Sequence, residues 1–234
     1  LVMLIGLPGA PAAVAVVGFI LAHALYKAAL FFCAGIMIRA TNVMRLRRLG
    51  GLARAMPLTA AAAALASLSM AGLPPFIGFI AKEYLFEAKL EASVTVVALA
   101  LTVGVNAVMV AVAGAIVLRP FFRPARRPVE IREGYGETLP LVAGPLLLAL
   151  TGIAFGVAPG LVIPLLEPAA IAIHGAPFAV SFKLWHGLTP MLALSGLVVA
   201  LGAALSYYWD PIHIALRRRR VLDRLLSDRG YHAA

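Results

Sequence analysis

Charge is what this sequence has least of. Asp, Glu, Lys and Arg make up 13% of 234 residues, while 62% of the chain is hydrophobic and mean hydropathy is +0.97. A globular chain carries about twice that charge. The shortage excludes an ordinary soluble domain, because too little polar surface exists to cover the apolar excess, and it excludes disorder for the same reason. A single cysteine, Cys33, excludes an internal disulfide, a disulfide scaffold and a cysteine-built metal site. No collagen-like repeat is present. There is no Gly-rich phosphate loop, no nucleophile with a base partner, and no carboxylate pair on one helical face inside an apolar run. An active-site enzyme therefore has no support, and no cofactor or metal is expected.

The charge that is present has mostly one sign, a net +10 with a pI near 10.5. In a soluble protein that excess would suggest nucleic acid; in a membrane protein it belongs in cytoplasmic loops, so its location decides. The chain begins at Leu1, and its opening residues lack the basic region and cleavage site of a signal peptide. It is read as a fragment.

No charged residue occurs within 1–26, 55–81, 92–118, 138–166 or 184–209. Each stretch reaches the roughly 20 residues needed to cross a hydrocarbon core of about 30 Å. The first helix is expected from near Pro11, past Lys27, to about Ile38, with Leu1 to Gly6 the tail of an earlier helix. In the second stretch Pro74 and Pro75 remove backbone donors, so a helix starting at Pro57 should break near Gly72–Ile77 and resume from Gly78 to about Glu91. The prolines of the fourth stretch end its helix near Val157. The expected fold is an all-α polytopic transmembrane helix bundle of about five spanning helices, one of them broken.

The basic residues test that reading independently. Five helices in sequence put segments 39–56, 119–137 and 210–234 on one side, and these hold 16 of the 20 lysines and arginines. The positive-inside rule makes them cytoplasmic, and nucleic-acid binding loses its main argument. RRRRVLDRLLSDRG, at the C-terminal end, reads either as a basic helix along the inner membrane surface or as a solvated tail. The alanine-rich run 60–66 suits close packing of helices.

Four residues inside the apolar runs draw attention. His23 and Lys27 are one turn apart on the first helix, hence on one face. Lys27 lies about 16 Å from the helix end, too deep for easy snorkelling, and a charge at that depth is normally turned inward and functional. With a histidine, which titrates near neutrality, it suits proton relay. The alternative is a lysine reaching the interface and a histidine hydrogen-bonded within the bundle. Lys82 and Glu83 follow the broken helix. Broken helices commonly line ion paths, yet composition alone favours a helix that ends at the prolines, with both residues at the outer interface. Adjacent positions point about 100° apart, so the two need not pair. Glu83, Glu87 and Glu91 form an acidic stripe, either a cation-attracting rim or, the favoured reading, an ordinary wet face. Asn106 is expected to bond between helices. Lys183 and His186 flank Trp185 as interfacial anchors, and Glu167 and His174 carry no motif.

At HALYKAALFFCAGI (23–36), MPLT (56–59) and SMAGLPPFIGFIAKE (69–83), with the basic RRLGGL loop between, the chain resembles the large antiporter-like subunits shared by Mrp-type cation/proton antiporters and respiratory complex I. KLWHG (183–187) before a further helix makes the A-type Mrp protein the closer likeness. The resemblance implies that His23 and Lys27 belong to a central hydrophilic axis along which protons move, that Lys82 is the lysine on a broken helix at its exit side, and that Glu83 is its acidic neighbour. It also implies further helices upstream and an extension beyond residue 234. An acidic–histidine pair near Ile38–Arg39 and an acidic residue near Met44–Arg45, expected from the family, are absent, and Ala81 stands where a serine is common.

The resulting expectation is a membrane component of a multisubunit Na+/proton antiporter that provides part of the proton path. Its partners would be other membrane subunits of an Mrp-like complex, protons and Na+, and the lipid bilayer, with no nucleic acid. It would be a multi-pass protein of the bacterial inner membrane. Residues 1–158 would end the antiporter-like core, 159–209 form a linker and an additional helix, and 210–234 a basic cytoplasmic segment. The alternatives are a proton-pumping subunit of NADH-quinone oxidoreductase and a purely structural membrane module.

Overall fold

In the computed structural model, residues 6–92, 95–124, 129–185 and 187–218 are described. The expectations for Leu1–Ile5, Arg126, Arg127, His186 and the helix beyond Arg218 lie outside them. Among the described residues seven α-helices follow in order: α1 Ala10–Thr41, α2 Pro57–Ala71, α3 Ile77–Glu91, α4 Val96–Val117, α5 Leu139–Val157, α6 Ile163–His174 and α7 Pro190–Arg218. No strand occurs among them. Four helices are long and apolar enough to cross a membrane, namely α1, α4 with its π-helical extension to Phe122, α5, and Pro190–Tyr208 of α7. The broken pair α2–α3 adds two shorter helices to these four, and the chain is a multi-pass membrane protein.

Helix boundaries follow local chemistry. Gly9 at φ 97° precedes α1, with Pro11 in its first turn, and Asn42 in the left-handed region closes it. At about 1.5 Å per residue α1 is roughly 48 Å long, more than a hydrocarbon core, so it tilts or projects. Pro57 opens α2, where its lack of an N–H costs nothing. Gly72, at φ 67°, ψ 48°, ends it, and Leu73 donates back to the Leu68 carbonyl at 3.2 Å, the left-handed closure that glycine permits. Helix α5 ends at Val157, before Pro159.

Helix α1 packs against α2, α3, α5 and α6, and α4 packs against α2 and α7. Alanines 60, 62, 63 and 66 of α2 are buried, as the small-residue reading anticipates. The outer face of α4 carries exposed Leu101, Val105, Val108 and Val112, a lipid-compatible surface. The basic loops meet at one end of the bundle. Gly51, Leu52 and Ala53 donate to the carbonyls of Arg123, Pro120 and Phe121, and Arg132 donates to Ala40. Arg132 and Arg39 both lie over the Tyr135 ring, at 4.3 and 5.6 Å. Segments 39–56 and 119–137 therefore share a side.

Two expectations change here. Asn106 bonds within its own helix, its Nδ2 donating to the Thr102 carbonyl at 2.8 Å, because the i−4 carbonyl is the nearest acceptor in an apolar span. The segment read as a linker contains α6, which packs on α1; its Pro164 falls in the first turn, where proline is tolerated.

Candidate functional site

Breaking a helix inside a bundle exposes backbone groups, and here they are used. A helix leaves its last carbonyls without intrahelical partners. At the end of α2, Gly72 donates to the Ser69 carbonyl at 3.0 Å and Leu73 to that of Leu68 at 3.2 Å. The Ala71 and Gly72 carbonyls take a different donor. Lys82 Nζ, from the second turn of α3, donates to them at 3.2 and 2.8 Å. A cation belongs at that negative end of the helix.

Lys82 is 3% exposed and Glu83 6%. The overshoot of the two half-helices draws both inward, so the composition-based placement at the outer interface is wrong, as is the wet face for Glu83. The acidic stripe is graded: Glu83 is buried, Glu87 half-buried and Glu91 exposed. The neighbours Lys82 and Glu83 do turn to different partners. Glu83 Oε1 accepts a hydrogen bond from Ser195 Oγ of α7.

Backbone crowding holds the break in place. A Cβ on Gly78 would collide with the Ser69 carbonyl, and one on Gly156 of α5 with that of Pro75. At Gly72 a Cβ would lie 2.7 Å from Lys82 Cε and Nζ. The lysine stem therefore lies directly against the glycine that ends α2. One turn earlier, the buried hydroxyls of Ser67 and Ser69 make no hydrogen bond among the described residues.

The other end of α2 is also closed by a side chain. Pro57 has no N–H and Ala60 donates to Met56, which leaves Leu58 and Thr59. Glu137, just before α5, takes both: Oε1 accepts from Leu58 N and Oε2 from Thr59 N, each at 2.9 Å, and Oε2 also accepts from Thr59 Oγ1 at 2.7 Å. Half-helix α2 thus has a carboxylate at its positive end and an ammonium at its negative end.

His23 and Lys27 occupy the opposite kind of site, on continuous α1. Both are half-buried. His23 Nδ1 lies 2.9 Å from the Tyr26 hydroxyl, and its ring packs between Phe19 and Tyr26. No hydrogen bond links Lys27 to another described residue. Lys183 and Trp185 are exposed, as anchors would be, and Glu167 and His174 lie on α6. Among the described residues no His/Cys/Asp/Glu group could hold a metal.

Sequence reasoning missed Ser195 and Glu137. Ser195 carried one faint signal, a hydroxyl in an otherwise apolar run. Glu137 lies in a charged loop and carried none.

Residues 2–109 match the family described as "NADH:quinone oxidoreductase/Mrp antiporter, TM". The chain is 30% identical over 222 residues to the A1 subunit of a Na+/H+ antiporter from Staphylococcus haemolyticus, an alignment covering 89% of this chain and 28% of that protein. It is 30% identical over 204 residues to the protein of the same name from Staphylococcus aureus (strain Newman), covering 80% and 25%. A solved structure, "Structure of Mrp complex from Dietzia sp. DQ12-45-1b", superposes with a TM-score of 0.75 at 30% identity, over 94% of this chain and 23% of that one. The chain thus spans about a quarter of the length of the curated relatives it matches.

Proposed function

We propose that the chain is a member of the NADH:quinone oxidoreductase/Mrp antiporter transmembrane family, whose model matches residues 2–109, and that it forms part of the proton path of a multisubunit Na+/proton antiporter. The carrying observation is Lys82, a buried lysine held by the backbone at a helix break. The path would run through His23, Lys27, Lys82 and Glu83, with residues 1–158 ending the antiporter-like core. Segment 159–209 then supplies a linker and the additional helix α7, and 210–234 a basic segment. Other membrane subunits, protons, Na+ and lipid are its partners. The basic loops 39–56, 119–137 and 210–234 would face the cytoplasm from a bacterial inner membrane.

The geometry at Lys82 suits proton exchange. An ammonium has three N–H donors, and two are committed to Ala71 and Gly72. A neutral amine keeps two donors and gains a lone pair. Both charge states can therefore hold the same two carbonyls, and the proton can come and go at the third position without dismantling the site. The proton gradient would drive outward movement of the cation.

Lys82→Ala and Lys27→Ala in the assembled complex test this, with Na+-dependent proton flux read in everted membrane vesicles. Both should lose exchange, Lys82→Ala by roughly 10²-fold or more. Unchanged flux in both, at normal assembly, would leave only a structural membrane module. The family description also names NADH:quinone oxidoreductase. On that second reading, flux would follow NADH oxidation by quinone and not a sodium gradient.

A further inference from the structure

Glu83 is the acidic group that the chain itself sets beside Lys82, and what holds it lies far away in sequence. Ser195, 112 residues on, is 3% exposed and its hydroxyl donates to the Glu83 carboxylate. A hydroxyl has one hydrogen to give, and here it goes to Glu83. A buried polar group without a partner is costly, so this bond bears on where the Glu83 side chain is held. The contact belongs to a wider wrapping of α3 by residues beyond the matched 2–109. The Tyr84 hydroxyl donates to the Ser181 carbonyl, and its ring stacks on Phe182 at 5.4 Å. Phe182 in turn is buried and lies over Gly18 of α1, where a Cβ would stand 3.1 Å from its ring.

Lys82 and Glu83 thus divide their attachments. Lys82 is fixed from within the core, by the carbonyls of α2, whereas Glu83 is fixed from α7. We infer that Ser195 is a positioning residue of the proton path: its hydroxyl fixes the Glu83 carboxylate, so the additional helix α7 takes part in that path. The inference rests on the proposed antiporter reading and names a residue that reading does not require.

The test replaces Ser195 by Ala, Val and Thr in the assembled complex and measures Na+-dependent proton flux in everted vesicles. Threonine and valine have nearly the same shape, and only threonine keeps the hydroxyl. Ser195→Thr should exchange within about twofold of the parent. Ser195→Val and Ser195→Ala should both fall about tenfold, the loss appropriate to a hydrogen bond on a charged group. In a Glu83→Gln background, Ser195→Ala should cause no further change. Equal rates for valine and threonine would overturn the inference, as would an undiminished rate in Ser195→Ala or independent losses in the double variant. If added bulk at 195 hinders assembly, the alanine variant and the Glu83→Gln background decide the matter without it. Lys82→Ala is run alongside. Full flux in that variant sinks the antiporter reading itself, whereas loss there with an unaffected Ser195→Ala sinks only the role of Ser195.

Discussion

Lys27 and Lys82 both sit on apolar helices, one on a continuous helix and the other beyond a break, and their surroundings differ accordingly. Continuous α1 spends every mid-helix carbonyl on its own ladder, so the backbone around Lys27 has nothing to offer an ammonium. It stays half-buried, with only the His23–Tyr26 pair close by in sequence. The break after Gly72 frees two carbonyls, and Lys82 is enclosed around them. A lysine can be carried deep into a membrane protein by interrupting a helix to supply acceptors, and Lys82 is held in that way.

A charge-conserving exchange separates the two sites most sharply. Lys82→Arg keeps the charge but places a planar, larger head in an enclosed site built for a compact one, so flux should fall by more than about tenfold. Lys27, half-buried and without backbone acceptors to match, should tolerate Lys27→Arg within about threefold of the parent. Comparable losses in both, measured in everted vesicles, would erase the distinction. Gly72→Ala should come next. It forces a side chain into the left-handed region, at about 1–2 kcal/mol, and puts a Cβ against the Lys82 ammonium. Both the flux and the thermal midpoint of the purified complex should drop.

Glu137→Ala acts on the far end of the same half-helix. Losing a side chain that caps two amides costs about 1–2 kcal/mol, so the midpoint should fall while flux per assembled complex changes little. A large loss of flux at unchanged stability would mean that Glu137 itself handles protons. The smallest effect is expected from Tyr26→Phe. It removes one hydrogen bond to His23, worth about 0.5–1.5 kcal/mol, and flux should stay within about twofold because Lys27 keeps its surroundings.

Much of this architecture is legible from local chemistry. Pro57, Gly72 and the Pro74–Pro75 pair place the start and break of α2, Pro159 marks the end of α5, and the arginines assign loops 39–56 and 119–137 to one side. All are effects of a residue on its own backbone or on the solvent it prefers. Lys82 shows where that reasoning stops: composition put it at an interface, because the overlap of two half-helices is a property of packing. Ser195 and Glu137 lie further beyond reach. Each meets its partner across 78 residues or more, and nothing adjacent to either announces the contact. Asn106 fails in the reverse direction, since its own helix satisfies it before a neighbour can.

The clasp made by Glu137 also sets an order of events during synthesis. Lys82 follows Gly72 by 10 residues, so at about 5–20 residues per second it emerges roughly 0.5–2 s later. Glu137 follows Leu58 by 79 residues, a delay of roughly 4–16 s. The C-terminal end of α2 can therefore be completed almost as soon as it is made, while its first turn waits for the carboxylate that caps its two amides. A ribosome stalled before the codon for Glu137 would hold a half-helix finished only at the end that grips the lysine.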